Sequence, residues 1–389
     1  MKVSKKNLIL FAITILLFIS FLEIFLAKFY PQPTLKKILK EKFNCYQRSD
    51  YLPFVLKPNC QVSQKTSEFE DASKINRLGY RDNEFSPEKP KNTFRALILG
   101  DSFTYGYGVH QEKTYPKLLE NLLNKNHQEK KFEIINAGFA SGFSPDSYYL
   151  YLKKEGLALT PNLIIFTFFV FNDFTDLKDH TFWEMVDENN LPEKITDQNR
   201  IVNSQGYLLD KKTPWYYKSS LLSNSHLFIF LGKTIDDGFT QVKLKLNSQK
   251  QISTKTATDY YLCLFANQCF PQMEEIFSKA FRVISASQRL AEKNQVQFLF
   301  LIIPTDVQLY DDVIPKYQSG ISYKSDPPYP QTRINKFLQE EKIKYLDLLP
   351  FFEREKERLF YKEDGHFNEK GHEITANLLY EQLTKLNFF

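Results

Sequence analysis

The run Phe94-Arg95-Ala96-Leu97-Ile98-Leu99-Gly100-Asp101-Ser102 joins a short apolar segment to a tight polar turn. Five of its first six residues are apolar, which is typical of a strand covered on both faces within a parallel sheet. Further apolar segments predict strands over residues 132–136, 163–170, 296–303 and 343–348. Amphipathic segments predict helices over residues 114–125, 145–155, 273–293, 331–341 and 368–386. Strands that alternate with helices predict an α/β fold, a five-stranded parallel sheet in three layers, α/β/α.

The segments around this pattern differ from it in composition. Residues 29–90 are polar with scattered prolines, and we interpret them as a stalk and lead-in segment. The sheet domain is predicted to span residues 91–389. Its alternation breaks at about residues 178–272, a polar part that is rich in Asn and Lys and holds both tryptophans. We interpret this part as a cap insertion within the domain.

The N-terminus predicts a membrane anchor. Leu8 to Ala27 form a run of 20 residues, of which three are not apolar, among them Glu23 near the outer end. As a helix the run is about 30 Å long, the thickness of the hydrocarbon layer of a bilayer. Three lysines precede it, so residues 1–28 are predicted to form a cytoplasmic tip and one transmembrane helix. The remainder of this single-pass protein would then lie on the extracytoplasmic side of the cell membrane. A cleaved signal peptide is the alternative, but the run is longer than usual and lacks a clear cleavage site.

Composition and cysteine usage agree with a folded extracytoplasmic protein. Of the 389 residues 42% are apolar and 25% are charged, which is ordinary for a globular chain. The net charge is +5 without a long basic run, so nucleic-acid binding is not predicted. The four cysteines form two local pairs, which suggests disulfides Cys45–Cys60 and Cys263–Cys269. Other pairings and unpaired thiols remain open, and the spacing does not indicate a metal site.

Polar residues follow three of the predicted strands and precede the last helix. Ser102 comes after the first strand, Gly142 after the second and Asn172 after the third, while Asp364 and His366 lie before the last helix. In an open parallel sheet, sites form at the carboxyl ends of the strands. These residues supply a nucleophilic hydroxyl, a backbone N–H, a side-chain amide, and a histidine with a carboxylate. The combination predicts acyl transfer through a serine nucleophile.

Each residue has a definite role in such a reaction. Ser102 would attack the acyl carbon, His366 would accept its proton, and Asp364 would hold the imidazole in the correct tautomer. The backbone N–H groups of Ser102 and Gly142 and the amide of Asn172 would donate to the negative oxygen of the intermediate.

These segments resemble the blocks of the SGNH hydrolases, also called the GDSL family, in order and in strand context. They are Gly100-Asp101-Ser102, Asn136 to Gly142, Asn172-Asp173, and Asp364 with His366. The resemblance implies a flavodoxin-like SGNH fold and hydrolysis or transfer of an ester acyl group without metal or cofactor. The tract Asn76-Arg77-Leu78-Gly79-Tyr80-Arg81-Asp82, with the anchor, resembles bacterial membrane-anchored members. The expected partner is then an ester-bearing substrate, such as an acetylated cell-envelope polysaccharide or a lipid.

Two departures from the family pattern leave alternatives open. Val170-Phe171 stands where the family usually has a glycine before the asparagine, which would narrow the acyl pocket or weaken the donor. Asp364 lies two residues before the histidine, whereas Glu363 occupies the more usual position three before, so Glu363 is the alternative acid. The alternative function is a membrane-tethered glycan-binding or assembly protein that keeps the fold but has little turnover.

Overall fold

The computed structural model describes residues 4–40, 42–139, 141–219, 222–247, 263–265, 271–313 and 326–389. The chain divides into two compact units. The smaller comprises Met1–Phe43 and Leu209–Thr254, and the larger comprises Asn44–Leu208 and Lys255–Phe389.

The strands, in chain order, are β1 (Tyr46–Gln47), β2 (Val55–Leu56), β3 (Gln61–Lys65), β4 (Glu70–Lys74), β5 (Thr93–Gly100), β6 (Lys131–Gly138), β7 (Leu163–Phe169), β8 (Thr181–Val186), β9 (Pro192–Asp197), β10 (Arg200–Val202), β11 (Leu208–Asp210), β12 (Gln297–Ile303) and β13 (Tyr345–Asp347). The α-helices are α1 (Lys5–Phe29), α2 (Leu35–Lys40), α3 (Ser102–Tyr105), α4 (Tyr115–Asn126), α5 (Pro145–Lys154), α6 (Asn172–Asp179), α7 (His226–Asn247), α8 (Pro271–Lys293), α9 (Tyr329–Glu340), α10 (Leu349–Phe352) and α11 (Glu369–Lys385). Short 3₁₀ turns cover Gln111–Lys113, Gly156–Leu159, Trp215–Tyr217, Cys263–Phe265 and Asp306–Gln308.

The larger unit is built on one five-stranded sheet with the order β13-β12-β7-β5-β6. All four neighbouring pairs are parallel. The predicted three-layer α/β fold with a five-stranded parallel sheet is therefore confirmed. The register pairs Gly100 with Gly138 and Ile303 with Phe169, so β5, β6, β7 and β12 end at the same edge of the sheet.

Helices cover both faces of this sheet. Helices α4 and α11 pack together on one face, and α5 and α6 pack with α8 on the other. Every residue of β5 and β7 is buried, which explains why their sequences read as continuous apolar runs rather than alternating ones. Helix α11 begins where Asn368 accepts a hydrogen bond from the backbone N–H of Gly371, as expected of an N-cap.

Residues 44–90, which the composition assigned to the lead-in segment, fold within the larger unit. They form two antiparallel pairs, β1 with β2 and β3 with β4. The Cys45–Cys60 disulfide links them, as predicted. Arg81 is fully buried, pairs with Asp71 at 2.8 Å and donates to three carbonyl oxygens at the end of α3 and just after it. The other predicted disulfide, Cys263–Cys269, lies outside the described residues.

The smaller unit contains α1, α2 and α7. Helix α1 has 25 residues, and an 18-residue stretch within it has a mean hydropathy of 2.8; within the described residues it is the one helix long and apolar enough to cross a membrane. It is therefore a candidate membrane span.

Candidate active site

A continuous chain of hydrogen bonds joins Ser102, His366 and Asp364. Ser102 is the first residue of α3, directly after the turn that leaves β5. Its Oγ lies 2.7 Å from Nε2 of His366, and Nδ1 of the same ring lies 2.5 Å from Oδ1 of Asp364. The structure thus brings together three residues from chain segments more than 260 positions apart.

Gly365 explains why an acid two residues before the histidine can reach the ring. Its φ of 83° lies in the left-handed region, so the chain reverses between Asp364 and His366 and both side chains face the same way. The backbone N–H of His366 also donates to Oδ1 of Asp364 at 3.3 Å. Glu363 is exposed, and it is Asp364 that contacts the imidazole.

Two carboxyl groups that interact with the His366 imidazole, those of Asp364 and Asp101, differ in their pKa shifts. Burial acts to raise the pKa of Asp364, but its hydrogen bond and charge interaction with His366 outweigh this and lower that pKa. Asp101 is buried, and burial raises its pKa to about 6. The backbone N–H of Phe103, the nearby His366 and the amide of Asn172 each act to lower that pKa but do not outweigh burial. Its Oδ1 accepts the backbone N–H of Phe103 at 2.9 Å, so Asp101 serves as the N-cap of α3.

Two aromatic rings enclose the imidazole. Phe103 and Tyr107 lie with their centroids 5.0 and 4.9 Å from that of His366. The ring of Tyr107 is in turn packed against Phe69 at 5.4 Å, and its hydroxyl accepts a hydrogen bond from Gln64 at 3.4 Å. The segment around β3 and β4 therefore supports the histidine through Tyr107.

The candidate oxyanion donors lie at the ends of β5, β6 and β7. Ser102 is the first residue of α3, a position whose backbone N–H has no partner within the helix. Asn172 is the first residue of α6, and its buried Oδ1 has no hydrogen-bond partner within the part of the chain that the structure describes. Asp173 fixes this helix start, because its carboxylate accepts the backbone N–H of Phe169 and the hydroxyl of Tyr148.

Gly142 has an unexpected neighbour. Its φ is 60°, and any side chain at this position would collide with the guanidinium of Arg200. Arg200 begins β10, pairs with Asp197 and donates to Oγ of Ser141 at 3.2 Å. The geometry joins Ser102, His366 and Asp364 by direct hydrogen bonds, whereas no hydrogen bond among the described residues connects Gly142 to them.

Two residues near this site were missed by the sequence analysis. Glu68, between β3 and β4, accepts hydrogen bonds from the backbone N–H groups of Lys362, Glu363 and Asp364 at 2.8, 2.9 and 2.9 Å. Arg200 lies in the part interpreted as an insertion. Neither residue stands in a recognisable motif, and both reach the site through contacts distant in sequence, so the sequence offered no signal for them.

An aromatic row extends from the histidine. Phe103 packs on Phe169 at 4.3 Å, Phe171 lies 6.3 Å from Phe169, and Phe265 stacks on Phe171 at 6.2 Å. Phe171, the departure from the family's glycine, thus belongs to a continuous apolar wall beside Asn172. Among the described residues, no group of three or more His, Cys, Asp or Glu side chains is arranged to hold a metal ion.

Comparison with known proteins identifies similar domains. Residues 264–388 match a family model described as the SGNH hydrolase-like domain of the acetyltransferase AlgX. This range includes Asp364 and His366 and confirms the predicted resemblance to the SGNH hydrolases. No curated protein matches the chain.

Solved structures similar to this chain have low sequence identity to it. The acetyl xylan esterase AlAXEase is 13% identical, with 74% of this chain and 98% of the esterase covered and a TM-score of 0.38. A lipase/acylhydrolase from Enterococcus faecalis is 10% identical, with 75% and 96% covered and a TM-score of 0.39. A GDSL-like lipase from Bacteroides thetaiotaomicron is 12% identical, with 75% and 88% covered and a TM-score of 0.35.

Proposed function

Because the chain carries an SGNH hydrolase-like domain, we propose that it is a membrane-anchored serine esterase or acyltransferase. The observation that carries this proposal is the hydrogen-bond chain from Asp364 through His366 to Ser102. A serine hydroxyl is a weak nucleophile at its ordinary pKa, and a base within hydrogen-bonding distance is what activates it.

The first half-reaction transfers the acyl group to the enzyme. Oγ of Ser102 attacks the ester carbonyl carbon while Nε2 of His366 takes the hydroxyl proton. The tetrahedral intermediate collapses when the bond to the leaving alkoxide breaks, and His366 returns the proton to that oxygen. Asp364, whose pKa is lowered, stays ionised at neutral pH and stabilises the imidazolium that forms between these steps.

Three donors are proposed for the negative oxygen of the intermediate. They are the backbone N–H groups of Ser102 and Gly142 and the amide of Asn172. The N-terminal position of Ser102 in α3 and the first position of Asn172 in α6 support this, because helix N-termini favour negative charge. In the second half-reaction, water or an acceptor hydroxyl attacks the acyl-serine, and His366 takes the proton of that attacking group.

The substrate we propose is an ester of a short acyl group, such as acetyl, on a cell-envelope glycan or lipid. The bulk of Phe171 beside Asn172 supports a short chain, because its ring fills space that a glycine would leave open. The family model for residues 264–388 is named for an acetyltransferase, which agrees with this size.

The proposed location is the extracytoplasmic face of the cell membrane. Residues 1–28 would form the cytoplasmic tip and the anchor, since the apolar run that begins at Leu8 follows three lysines. The Cys45–Cys60 disulfide supports an oxidising compartment for the larger unit. Residues 178–272 would then be an extracytoplasmic insertion, of which Leu209–Thr254 belongs to the smaller unit.

One observation favours a second candidate. The guanidinium of Arg200 lies against Gly142 at the position that a Cβ would occupy, and a group this close would crowd an oxyanion bound by the Gly142 N–H. If Arg200 keeps this position when substrate is bound, the chain would serve as a membrane-tethered glycan-binding or assembly protein with little turnover.

The two candidates are separated by hydrolysis of p-nitrophenyl acetate and by labelling with a fluorophosphonate. The esterase proposal expects covalent label on Ser102, and Ser102→Ala should lower kcat by about 10⁴-fold or more. Ser204→Ala, an exposed serine of the same unit, is the matched control and should keep the parent rate. Equal rates for Ser102→Ala and the parent would overturn the esterase assignment and favour the binding protein.

A further inference from the structure

Glu23, the one charged residue of the apolar run from Leu8 to Ala27, is bound by the start of another helix. Glu23 of α1 accepts hydrogen bonds from Oγ of Ser225 at 2.8 Å and from the backbone N–H groups of His226 and Leu227 at 2.7 and 2.9 Å. His226 and Leu227 are the first residues of α7. The carboxylate thus occupies the positive end of that helix, which is a favourable site for an anion.

This contact fixes where α7 begins relative to the bilayer. Glu23 lies six residues before Phe29, the end of α1, which is about 9 Å along a helix. A carboxylate in a span needs polar partners, and here the partners come from α7. The start of α7 therefore shares the depth of Glu23, near the outer end of the span.

The segment that follows α1 makes further contacts with the residues around the start of α7. The backbone N–H of Gln32 donates to Nδ1 of His226 at 2.8 Å. The backbone N–H of Lys36 donates to Asn224 at 2.8 Å, and the rings of Tyr30 and Phe230 meet at 6.3 Å. Helix α7 is thus tied to the membrane end of the unit over several residues rather than by Glu23 alone.

Helix α7 presents an exposed apolar stripe next to its packed side. Leu231, Ile235 and Phe239 follow one another at intervals of four residues and are 50%, 47% and 66% exposed among the described residues. Residues at this spacing lie on one face of a helix. The packed side is formed by Ile229, which is buried, and by Gly232, where a side chain would collide with Tyr216.

The face of α7 opposite the apolar stripe is polar. Lys233 and Asp237 are exposed and lie roughly half a turn away from the stripe at 100° per residue. Trp215, which packs on Phe228 near the start of α7, is 45% exposed. Exposed indoles beside an apolar helix face are typical of the membrane–water interface.

We propose that the stripe of Leu231, Ile235 and Phe239 lies in the outer leaflet of the bilayer that α1 crosses, with lipid as its occupant. The inference rests on the proposed membrane anchor. Continuity with α1 argues for lipid, because the hydrogen bonds to Glu23 already hold the start of α7 at the bilayer. Helix α7 is then a second, interfacial attachment that orients the smaller unit on the membrane surface.

Quenching of single tryptophans by brominated lipid tests this face. The full chain is reconstituted in phosphatidylcholine vesicles with or without brominated acyl chains, in a background with Trp183→Phe and Trp215→Phe. Reporters are Leu231→Trp, Ile235→Trp and Phe239→Trp. Lys233→Trp and Asp237→Trp are matched controls on the polar face, and Leu16→Trp within α1 is the reference for the anchor.

We expect brominated lipid to quench roughly half or more of the emission of the stripe reporters and of the α1 reference, and little of the polar-face emission. Quenching of the α1 reference without quenching of the stripe would overturn the interfacial face and leave the anchor intact. If the α1 reference is not quenched, the membrane anchor is overturned, and so is the interfacial face of α7, which depends on it. Adding Glu23→Ala should lower the quenching of the stripe reporters in part, because the contacts of His226 and Asn224 remain, while the α1 reference stays fully quenched. Unchanged quenching of the stripe reporters would contradict the role given to Glu23.

Discussion

The carboxylate of Glu68 accepts the backbone N–H of Asp364 at 2.9 Å. The same carboxylate accepts the two preceding N–H groups, so it binds the turn that carries the acid of the hydrogen-bond chain. Phe69, the next residue, packs on Tyr361 at 5.1 Å and on Tyr107 at 5.4 Å. The connection between β3 and β4 therefore holds the loop of Asp364 and His366 against the loop that follows Ser102.

Removing the Glu68 carboxylate should loosen this turn without touching the substrate. We expect Glu68→Ala to lower kcat for an activated acetyl ester by about 10- to 100-fold, with little change in KM, because the acid would no longer hold the imidazole at the same distance. The kcat of Glu68→Gln should lie between that of Glu68→Ala and that of the parent, since the amide oxygen of glutamine can still accept a hydrogen bond. Steady-state kinetics on the full chain measure this.

Glu70→Gln is the matched control for that series. Glu70 lies two residues further along, is exposed, and pairs with Lys65 at 2.6 Å. Its substitution should leave kcat within about twofold, because exposed ion pairs contribute little. A rise in KM with unchanged kcat in Glu68→Ala would contradict a positioning role and indicate a contact with substrate.

Separate amide substitutions of Asp364 and Glu363 distinguish the roles of these two neighbouring acids. Asp364→Asn keeps the shape but offers Nδ1 of His366 a group that no longer fixes the tautomer, and kcat should fall by about 10³- to 10⁴-fold. Glu363→Gln should stay within about twofold, because Nδ1 of His366 is hydrogen-bonded to Asp364. Rates with p-nitrophenyl acetate measure both. A larger loss in Glu363→Gln than in Asp364→Asn would reverse the assignment of the acid.

The sheet could be predicted because each strand is buried on both faces, so its sequence is a continuous apolar run. The position of Ser102 followed from the same argument, since sites form at strand ends, whereas His366 was identified as a histidine with a carboxylate just before the last helix. Strands β3 and β4 gave no such run, because their residues alternate between exposed and part-buried or buried. Glu68 and Arg200 act through contacts between distant segments, which local pattern does not encode. The reach of Asp364 depends on the backbone at Gly365, which a two-residue spacing does not reveal.

Asp176 should make stability depend on pH. Burial raises the pKa of this carboxyl to about 8, Arg200 opposes the shift, and nearby Asp101, Asp179 and Asp197 add to it. Between about pH 4 and pH 8 the unfolded chain loses this proton while the folded chain keeps it. Because the folded state binds more protons there, this group lowers the free energy of unfolding as pH rises.

Asp176→Asn removes that dependence. The Tm of the variant minus that of the parent should be near zero at pH 4 and should rise to roughly ten degrees or more at pH 8. The raised pKa corresponds to about 5 kcal/mol, and about 1 kcal/mol shifts Tm by about 2–4 °C. Thermal denaturation followed by circular dichroism measures it. Asp311→Asn, at an exposed aspartate, should show no such trend. A Tm difference that is constant from pH 4 to pH 8 would contradict a protonated Asp176.

Substitution of Asn172 tests whether the protein has a working oxyanion hole or binds a glycan with little turnover. If its amide donates to the oxygen that becomes negative, its loss weakens the transition state alone. Asn172→Ala should then lower kcat by about 10²- to 10³-fold with little change in KM. Asn172→Asp, which has the same shape but puts a carboxylate beside the oxyanion, should lose at least as much. Stopped-flow measurement of acylation by p-nitrophenyl acetate isolates the step concerned. A kcat within twofold of the parent in Asn172→Ala would mean that the oxyanion is held without this amide.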